Sequence, residues 1–408
     1  MVYIIRLLAS IVQQGLTTVF HFLTINYFAE LPPPPATGPM KKIVILGGSF
    51  GGISTAHRIL KQFSKTGPVK ITLVSPNTHF YWNVAAPRAI LPGQISDEKV
   101  FLPIAAGFKQ YNSSQYEIIT GRAQSLDFET KTVEIIDESG ERTLDYDYLV
   151  LATGSRHAGN IPFKTLDTTE KTREALHDYQ EQVKKAKTIV IGGAGPTGVE
   201  TAGELAFEYG KQKRTILLTP ATQVLDSAIP SVSKVASDIL HRLAVEVKFS
   251  TRVISSSPTS SGQIELTLSS GERILTDMYI PTYGVVPNSS YIPASYLDEK
   301  GFVKVDQQFR VRGQPNVFAI GDVSNLEPPQ VMFVDKQSTH LAKNIVLVLG
   351  GKQPVEYKLG PKGLGLQIGR KTGTGHLGNF KIPGFLVHML RKNLLLDKVA
   401  PLVDGSAF

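Results

Sequence analysis

The chain has 408 residues, 42% of them apolar, with 36 Gly, 25 Pro and no Cys, and Lys plus Arg outnumber Asp plus Glu by 43 to 35. That length fits two or three domains with real cores, and the lack of Cys excludes disulfide scaffolds, thiolate zinc sites, iron–sulfur clusters and dithiol redox centres. The formal net charge of +8 suits an anionic cofactor or a negative membrane surface, and with no run of five or more Lys/Arg a nucleic-acid partner is not expected.

Residues 1–31 open the chain with an apolar stretch whose only formal charge before Glu30 is Arg6. At 100° per residue, Arg6, Ser10, Gln13, Gln14, Thr17, His21 and Thr24 gather in one arc of about 100°, leaving a wide apolar face. The pattern predicts an amphipathic membrane helix that lies in the interface or crosses beside a polar partner. Residues 32–40 follow as a Pro-rich linker, with four consecutive prolines at 32–35, a stiff polyproline spacer.

The short apolar strand pattern Lys41-Lys42-Ile43-Val44-Ile45-Leu46 runs straight into Gly47-Gly48-Ser49-Phe50-Gly51-Gly52. A helical stretch at 53–63 and a second strand, Val69–Ser75, complete the order of a dinucleotide site. Its glycines let backbone N–H groups approach a pyrophosphate at a helix N-terminus. Ser49 stands where the middle glycine is expected, and Ser75 where a ribose-binding acid is expected. The pattern recurs at Gly193-Ala194-Gly195-Pro196-Thr197-Gly198-Val199-Glu200, after the strand pattern Lys187-Thr188-Ile189-Val190-Ile191. The next strand ends at Thr219, again without the acid that repels a 2′-phosphate, while Lys213 and Arg214 lie just upstream. Gly193, Gly195 and Gly198 are therefore read as binding NAD(P)H, with NADPH accepted alongside NADH.

Two further segments fix the class. Tyr148-Leu149-Val150-Leu151-Ala152-Thr153-Gly154 looks like the strand and turn that leave an FAD domain, and Phe318-Ala319-Ile320-Gly321-Asp322 like the strand whose Asp holds the ribityl chain. The ordered set resembles the two-dinucleotide-domain flavoproteins. Within them, the stretch Phe80-Tyr81-Trp82-Asn83-Val84-Ala85-Ala86-Pro87-Arg88-Ala89 resembles the ferroptosis suppressor family, the apoptosis-inducing-factor homologues. The resemblance runs from about residue 41 to 398. It takes in a Gly-rich strand pair at 365–380 and the helix after Pro383.

The resemblance implies an α/β fold of two Rossmann-like domains, for FAD and NAD(P)H, plus a small α+β C-terminal region. The division is 41–155 for the first part of the FAD domain, 156–284 for the NAD(P)H domain, 285–355 for the second FAD part and 356–408 for the C-terminal region. Carried over by position, Gly47, Gly48, Ser49, Phe50, Gly51, Arg88, Ala123 and Asp322 hold FAD. Glu200 matches an acid near flavin and nicotinamide, and Lys392 a lysine implicated in activity. A helix starting near Val334 is expected to aim its N-terminus at the flavin, with Lys336 adding charge. The nine His show no metal-ligand spacing, so no metal site is expected. The expected reaction passes hydride from NAD(P)H to FAD and electrons on to a quinone-type acceptor at an intracellular membrane, on a mitochondrion, lipid droplet or other organelle. A type II NADH dehydrogenase and a flavin-bearing apoptosis or DNA-binding protein stay open as alternatives.

Overall fold

The strand Lys41–Leu46 is the middle one of the five parallel strands in a seven-stranded sheet, because an unbroken apolar run suits a parallel strand covered on both faces. A computed structural model describes residues 38–63, 68–159 and 161–408; the expected leader helix and the linker up to residue 37 lie outside them. Five strands are parallel, in the order Val317–Ala319, Tyr148–Leu151, Lys41–Leu46, Val69–Ser75 and Tyr116–Asp127. The last of these continues past the sheet and pairs antiparallel with Thr132–Asp137, which pairs with Gly140–Asp145. Alternation still sorts the side chains. Ile43, Ile45, Ile71 and Leu73 pack in one buried cluster with the helix Phe50–Phe63, whereas Val44, Leu46, Leu149 and Leu151 join Val133, Ile135 and Val303 on the opposite face.

A second parallel sheet has the order Glu246–Lys248, Arg214–Leu218, Thr188–Gly192 and Met278–Pro281. It packs against the helices Pro196–Tyr209 and Pro230–Arg242 and a three-stranded antiparallel meander. Two short strands, Ser155–His157 and Val285–Pro287, pair antiparallel where the chain leaves the first unit and returns to it. The C-terminal region holds three antiparallel strands, Gly363–Ile368, Thr372–Leu377 and Phe380–Ile382, one more than the pair read from the sequence. The helix Gly384–Arg391 packs on them through Val387. The helix after Asp322 begins at Val331 rather than near Val334 and runs to Leu349. Among the described residues, no helix is long and apolar enough to cross a membrane.

Candidate functional site

Each glycine turn lies at the carboxyl end of its central strand, where a doubly wound sheet leaves a crevice for ligand. At the first turn Gly47 has φ +117°, and a Cβ there would overlap the Ala152 carbonyl oxygen. A Cβ on Gly48 would stand 2.6 Å from the Ser75 Cβ, and one on Gly51 would stand 3.3 Å from Ile320 and Val334. The Ser49 carbonyl accepts from Ile53 N–H and so starts the helix. Phe50 turns its ring onto Phe80 and Trp82, with centroids 5.0 and 5.3 Å away. Gly52, absent from the residues expected to bind, is as constrained as Gly47: its Cβ would overlap the Gly47 carbonyl oxygen.

Around this turn the segments converge. Ser75 is buried, and its hydroxyl accepts from Asn77 N–H at 3.1 Å, closing its own turn. Ala123 is half-buried opposite Ile135, at a bulge just beyond the point where its strand leaves Ser75. Asp322 accepts from the Ser155 hydroxyl at 2.9 Å and from Lys164 Nζ at 2.6 Å. Behind it, buried Gln337 accepts from Gly321 N–H at 2.7 Å and donates to Glu327, which also accepts from the Tyr357 hydroxyl. Lys164, Gln337 and Glu327 carry no motif signal. Their place follows from two loops and a helix that only the folded chain brings together.

At the second turn Gly193 has φ +100°, and a Cβ on Gly198 would overlap the Gly193 carbonyl oxygen. A Cβ on Gly195 would meet no heavy atom within 4 Å. Thr282 locks the turn from the neighbouring strand by donating to the Gly192 and Gly193 carbonyls at 2.9 and 3.0 Å. Thr219 is buried, and its hydroxyl accepts from Ala221 N–H at 3.2 Å. Lys213 and Arg214, expected to favour a 2′-phosphate, are at the opposite end of that strand. Lys213 donates to the Lys184 and Ala186 carbonyls, and Arg214 pairs with Glu246. The five-residue strand separates them from Thr219 by about 16 Å, so they cannot set the nucleotide preference.

The helix that follows carries Glu200, Glu204 and Glu208 at four-residue spacing, hence on one face. Glu200 accepts from Arg391 at 2.9 Å, and burial pushes its carboxyl above the usual range against the pull of that arginine. Glu204, 2% exposed, accepts from Arg88 Nε and Nη2 at 2.9 and 2.6 Å. Glu208 accepts from Gln94 and Arg370. The guanidinium of Arg88, expected at FAD, is thus engaged by the nucleotide-domain helix, and it lines a cavity of about 580 Å³ with Gln94, Leu102, Asn393, Leu396 and Val399. Lys392 is exposed and next to Arg391, which donates to Glu200. Lys336, expected at the helix N-terminus, is in the second turn, where its Nζ donates to the Lys358 carbonyl and lies 4.7 Å from the Tyr357 ring.

The match to known proteins is extensive. The model of the pyridine nucleotide-disulphide oxidoreductases matches residues 41–344. The chain belongs to that family. Among its relatives, oxidoreductase ptaL of Pestalotiopsis fici is 53% identical over 371 residues, covering 90% of this chain and 100% of that protein. Human ferroptosis suppressor protein 1 is 28% identical over 357 residues, covering 86% of this chain and 92% of that protein. The solved sulfide:quinone oxidoreductase of Aquifex aeolicus superposes with a TM-score of 0.73 at 19% identity, covering 90% of this chain and 92% of that one.

As an oxidoreductase of this family the protein uses FAD and NAD(P)H, and its two turns fit them. Left-handed glycines open each turn, the helix after the second turn has no side-chain cap on its N–H groups, and a Cβ on Gly195 would meet no heavy atom within 4 Å. The disulphide of the family name has no counterpart here, since the chain holds no Cys.

Proposed function

We propose that the protein oxidises NAD(P)H and passes the electrons to a quinone-type small molecule at an intracellular membrane surface. The observation that carries this reading is a pair of nucleotide turns in a chain with no thiol. A dithiol cannot take the electrons, so they leave on a diffusible acceptor. The Aquifex relative, named for quinone reduction, supports the same direction.

Bound FAD supplies the hydride and electron chemistry; the side chains supply position and charge. In this reading Gly47, Gly48, Ser49, Phe50 and Gly51, with Gly52, cradle the FAD pyrophosphate. Asp322, held by Lys164 and Ser155, takes a ribityl hydroxyl, and the Ala123 backbone borders the adenine side. Gly193, Gly195 and Gly198 seat NAD(P)H. Glu200, paired with Arg391, borders the nicotinamide, and Lys392 beside Arg391 adds positive charge to that edge of the site. The Val331–Leu349 helix has no side-chain cap, so its free N–H groups offer positive potential to the flavin ring, and Lys336 acts only through that helix. The cavity beside Arg88 receives the acceptor.

Anaerobic addition of NADH to purified holoenzyme tests the reading. Flavin absorbance should bleach, and a water-soluble quinone analogue should restore it within one turnover. Bleaching that only a disulfide or a protein partner reverses would overturn the acceptor assignment. Glu200→Gln should keep FAD and slow the bleaching; an unchanged rate would remove Glu200 from the nicotinamide side.

A further inference from the structure

Given the seat proposed for NAD(P)H at Gly193, Gly195 and Gly198, we propose that Tyr283 recognises the nicotinamide ring and forms one wall of its pocket. The placement comes from the sheet. The strand Thr188–Gly192 has Arg214–Leu218 on one side and Met278–Pro281 on the other, so its carboxyl end is the switch point of the second unit. A dinucleotide held there by its pyrophosphate sends its two halves to opposite sides of the central strand. Thr219, where a residue meets the adenosine ribose, lies just past one neighbouring strand. The nicotinamide half then falls at the end of the other, where Thr282 and Tyr283 follow Pro281.

Gly192 precedes the three motif glycines, and the tyrosines explain it where the motif does not. A Cβ there would stand 2.6 Å from the Tyr279 hydroxyl oxygen and 2.9 Å from Tyr283 Cε1. A Cβ on Gly193 would stand 3.5 Å from the Tyr283 Cβ, so this side chain starts beside the first motif glycine and brings its ring edge to Gly192. The Tyr283 and Tyr279 hydroxyls bond each other at 2.9 Å. In such a pair one O–H donates to its neighbour and the other stays free to donate outward. Tyr283 is nevertheless 49% exposed, so its ring is fixed at the mouth of the nucleotide site with much of its surface open.

The first unit shows what packing alone asks of this position. Ile43 pairs with Tyr148 as Ile189 pairs with Met278, so Thr153 is the counterpart of Tyr283, and Gly154 and Gly284 follow them with φ +66° and +76°. Thr153 is half-buried and donates to the Asn288 carbonyl at 2.7 Å. The turn is therefore satisfied by a small side chain engaged with the protein. A large half-exposed ring in its place is explained by a flat partner from outside. An aromatic face suits nicotinamide, above all the cationic ring of the oxidised nucleotide.

Isothermal titration of the oxidised full-length holoenzyme with NAD⁺ and with ADP-ribose, which lacks only the nicotinamide, tests the assignment. Tyr283→Ala should weaken NAD⁺ binding about tenfold and leave ADP-ribose within about twofold of the parent. Tyr283→Phe should stay within about threefold of the parent for both ligands, because the ring carries the contact. Both variants should keep their FAD, since Tyr283 lies at the second turn and not the first. An equal loss of both ligands in Tyr283→Ala would overturn the proposal and make the residue a prop for the turn at Gly192. Unchanged NAD⁺ binding, or a loss in Tyr283→Phe as large as in Tyr283→Ala, would overturn it too. A parent holoenzyme that binds neither ligand would instead overturn the seat of NAD(P)H at the second turn, and the inference with it.

Discussion

The two glycine turns superimpose in sequence at an offset of 146 residues, Gly47 on Gly193 and Gly52 on Gly198, yet they differ between those ends. In both, the first glycine has a left-handed φ and the last leaves no room for a Cβ against the first carbonyl. Those two positions are set by the fold alone. At the third position the turns part: Ser49 in the first, Gly195 in the second. Nothing in the protein within 4 Å forbids a side chain at Gly195, so only a ligand gives a reason for glycine there. A glycine that packing does not require marks the ligand's place better than one that packing does.

The first way to break the comparison is at the ends. Gly52→Ala and Gly198→Ala each force a Cβ into a backbone carbonyl, so something must shift in both turns. Gly52→Ala should strip FAD, read as lost flavin absorbance. Gly198→Ala should keep FAD while flavin bleaching by NADH falls at least about a hundredfold. Loss of FAD from Gly198→Ala would show that the two turns do not serve separate nucleotides.

The helices behind the turns differ at a matched position as well. Arg58 and Glu204 are equivalent by the same offset, both nearly buried, and opposite in charge. Glu204 is held by Arg88, itself 11% exposed, whereas Arg58 pairs with Asp335, which is 51% exposed. Truncating Glu204 to Ala should cost about 3–5 kcal/mol, because it leaves a buried guanidinium unpaired. Arg58→Met should cost less, since Asp335 can turn to water. Urea unfolding midpoints measure both. Equal losses would mean that burial of the residue itself, rather than of its partner, sets the cost.

These ion pairs show where the sequence stops being legible. The turns, the strand before each and Asp322 are local patterns, and motif spacing locates them without any fold. Glu200, Glu204 and Glu208 read as one polar helix stripe, which in isolation looks like a solvated face. Their arginines come from residues 88, 370 and 391, and no spacing announces that pairing. Lys164 reaches Asp322 with no sequence signal either. Lys213 and Arg214 are near Thr219 in sequence but at the far end of its strand.

One residue before Arg58 the helices differ again, His57 against Gly203. His57 is buried, its ring stacked 4.3 Å from Phe108 and its nitrogens matched to the Tyr111 hydroxyl and the Val403 carbonyl. Burial lowers it to about 4 from 6.5. Folded His57 therefore stays neutral while the unfolded chain protonates, so stability is full above pH 6.5 and falls as pH drops toward 4. That group alone accounts for about 3 kcal/mol of the loss. His57→Gln should flatten this part of the pH profile relative to the parent chain, and an unaltered slope would place the loss on other groups.

At the ends of the second strands the two sites agree: Ser75 and Thr219 both spend their hydroxyls on the backbone two residues on. Neither offers a carboxylate to a ribose. Without a repelling acid, NADPH should be used within about tenfold of NADH. Thr219→Asp should widen that ratio by at least tenfold more by disfavouring NADPH, read from kcat/KM for the two nucleotides. A parent enzyme already a hundredfold selective for NADH would mean that a different acid reaches the ribose.

The smallest expected effect comes from exchanging the residues in which the turns differ most visibly. Ser49→Gly removes a side chain that the first turn already accommodates. The hydroxyl-bearing Cβ there follows Gly48, whose own lack of a side chain lets the turn press against Ser75. The backbone N–H groups that face the pyrophosphate are the same in either variant, so FAD affinity should change by no more than about threefold. The converse, Gly195→Ser, puts a side chain into space that the protein leaves empty, so stability and FAD content should hold. Whatever changes must then change on the nucleotide. If the space before Gly195 is where NAD(P)H sits, its KM should rise about tenfold with kcat little altered, the pattern of lost uniform binding. An unchanged KM would mean that the second turn, like the first, tolerates serine, and that the empty space before Gly195 is not the nucleotide's.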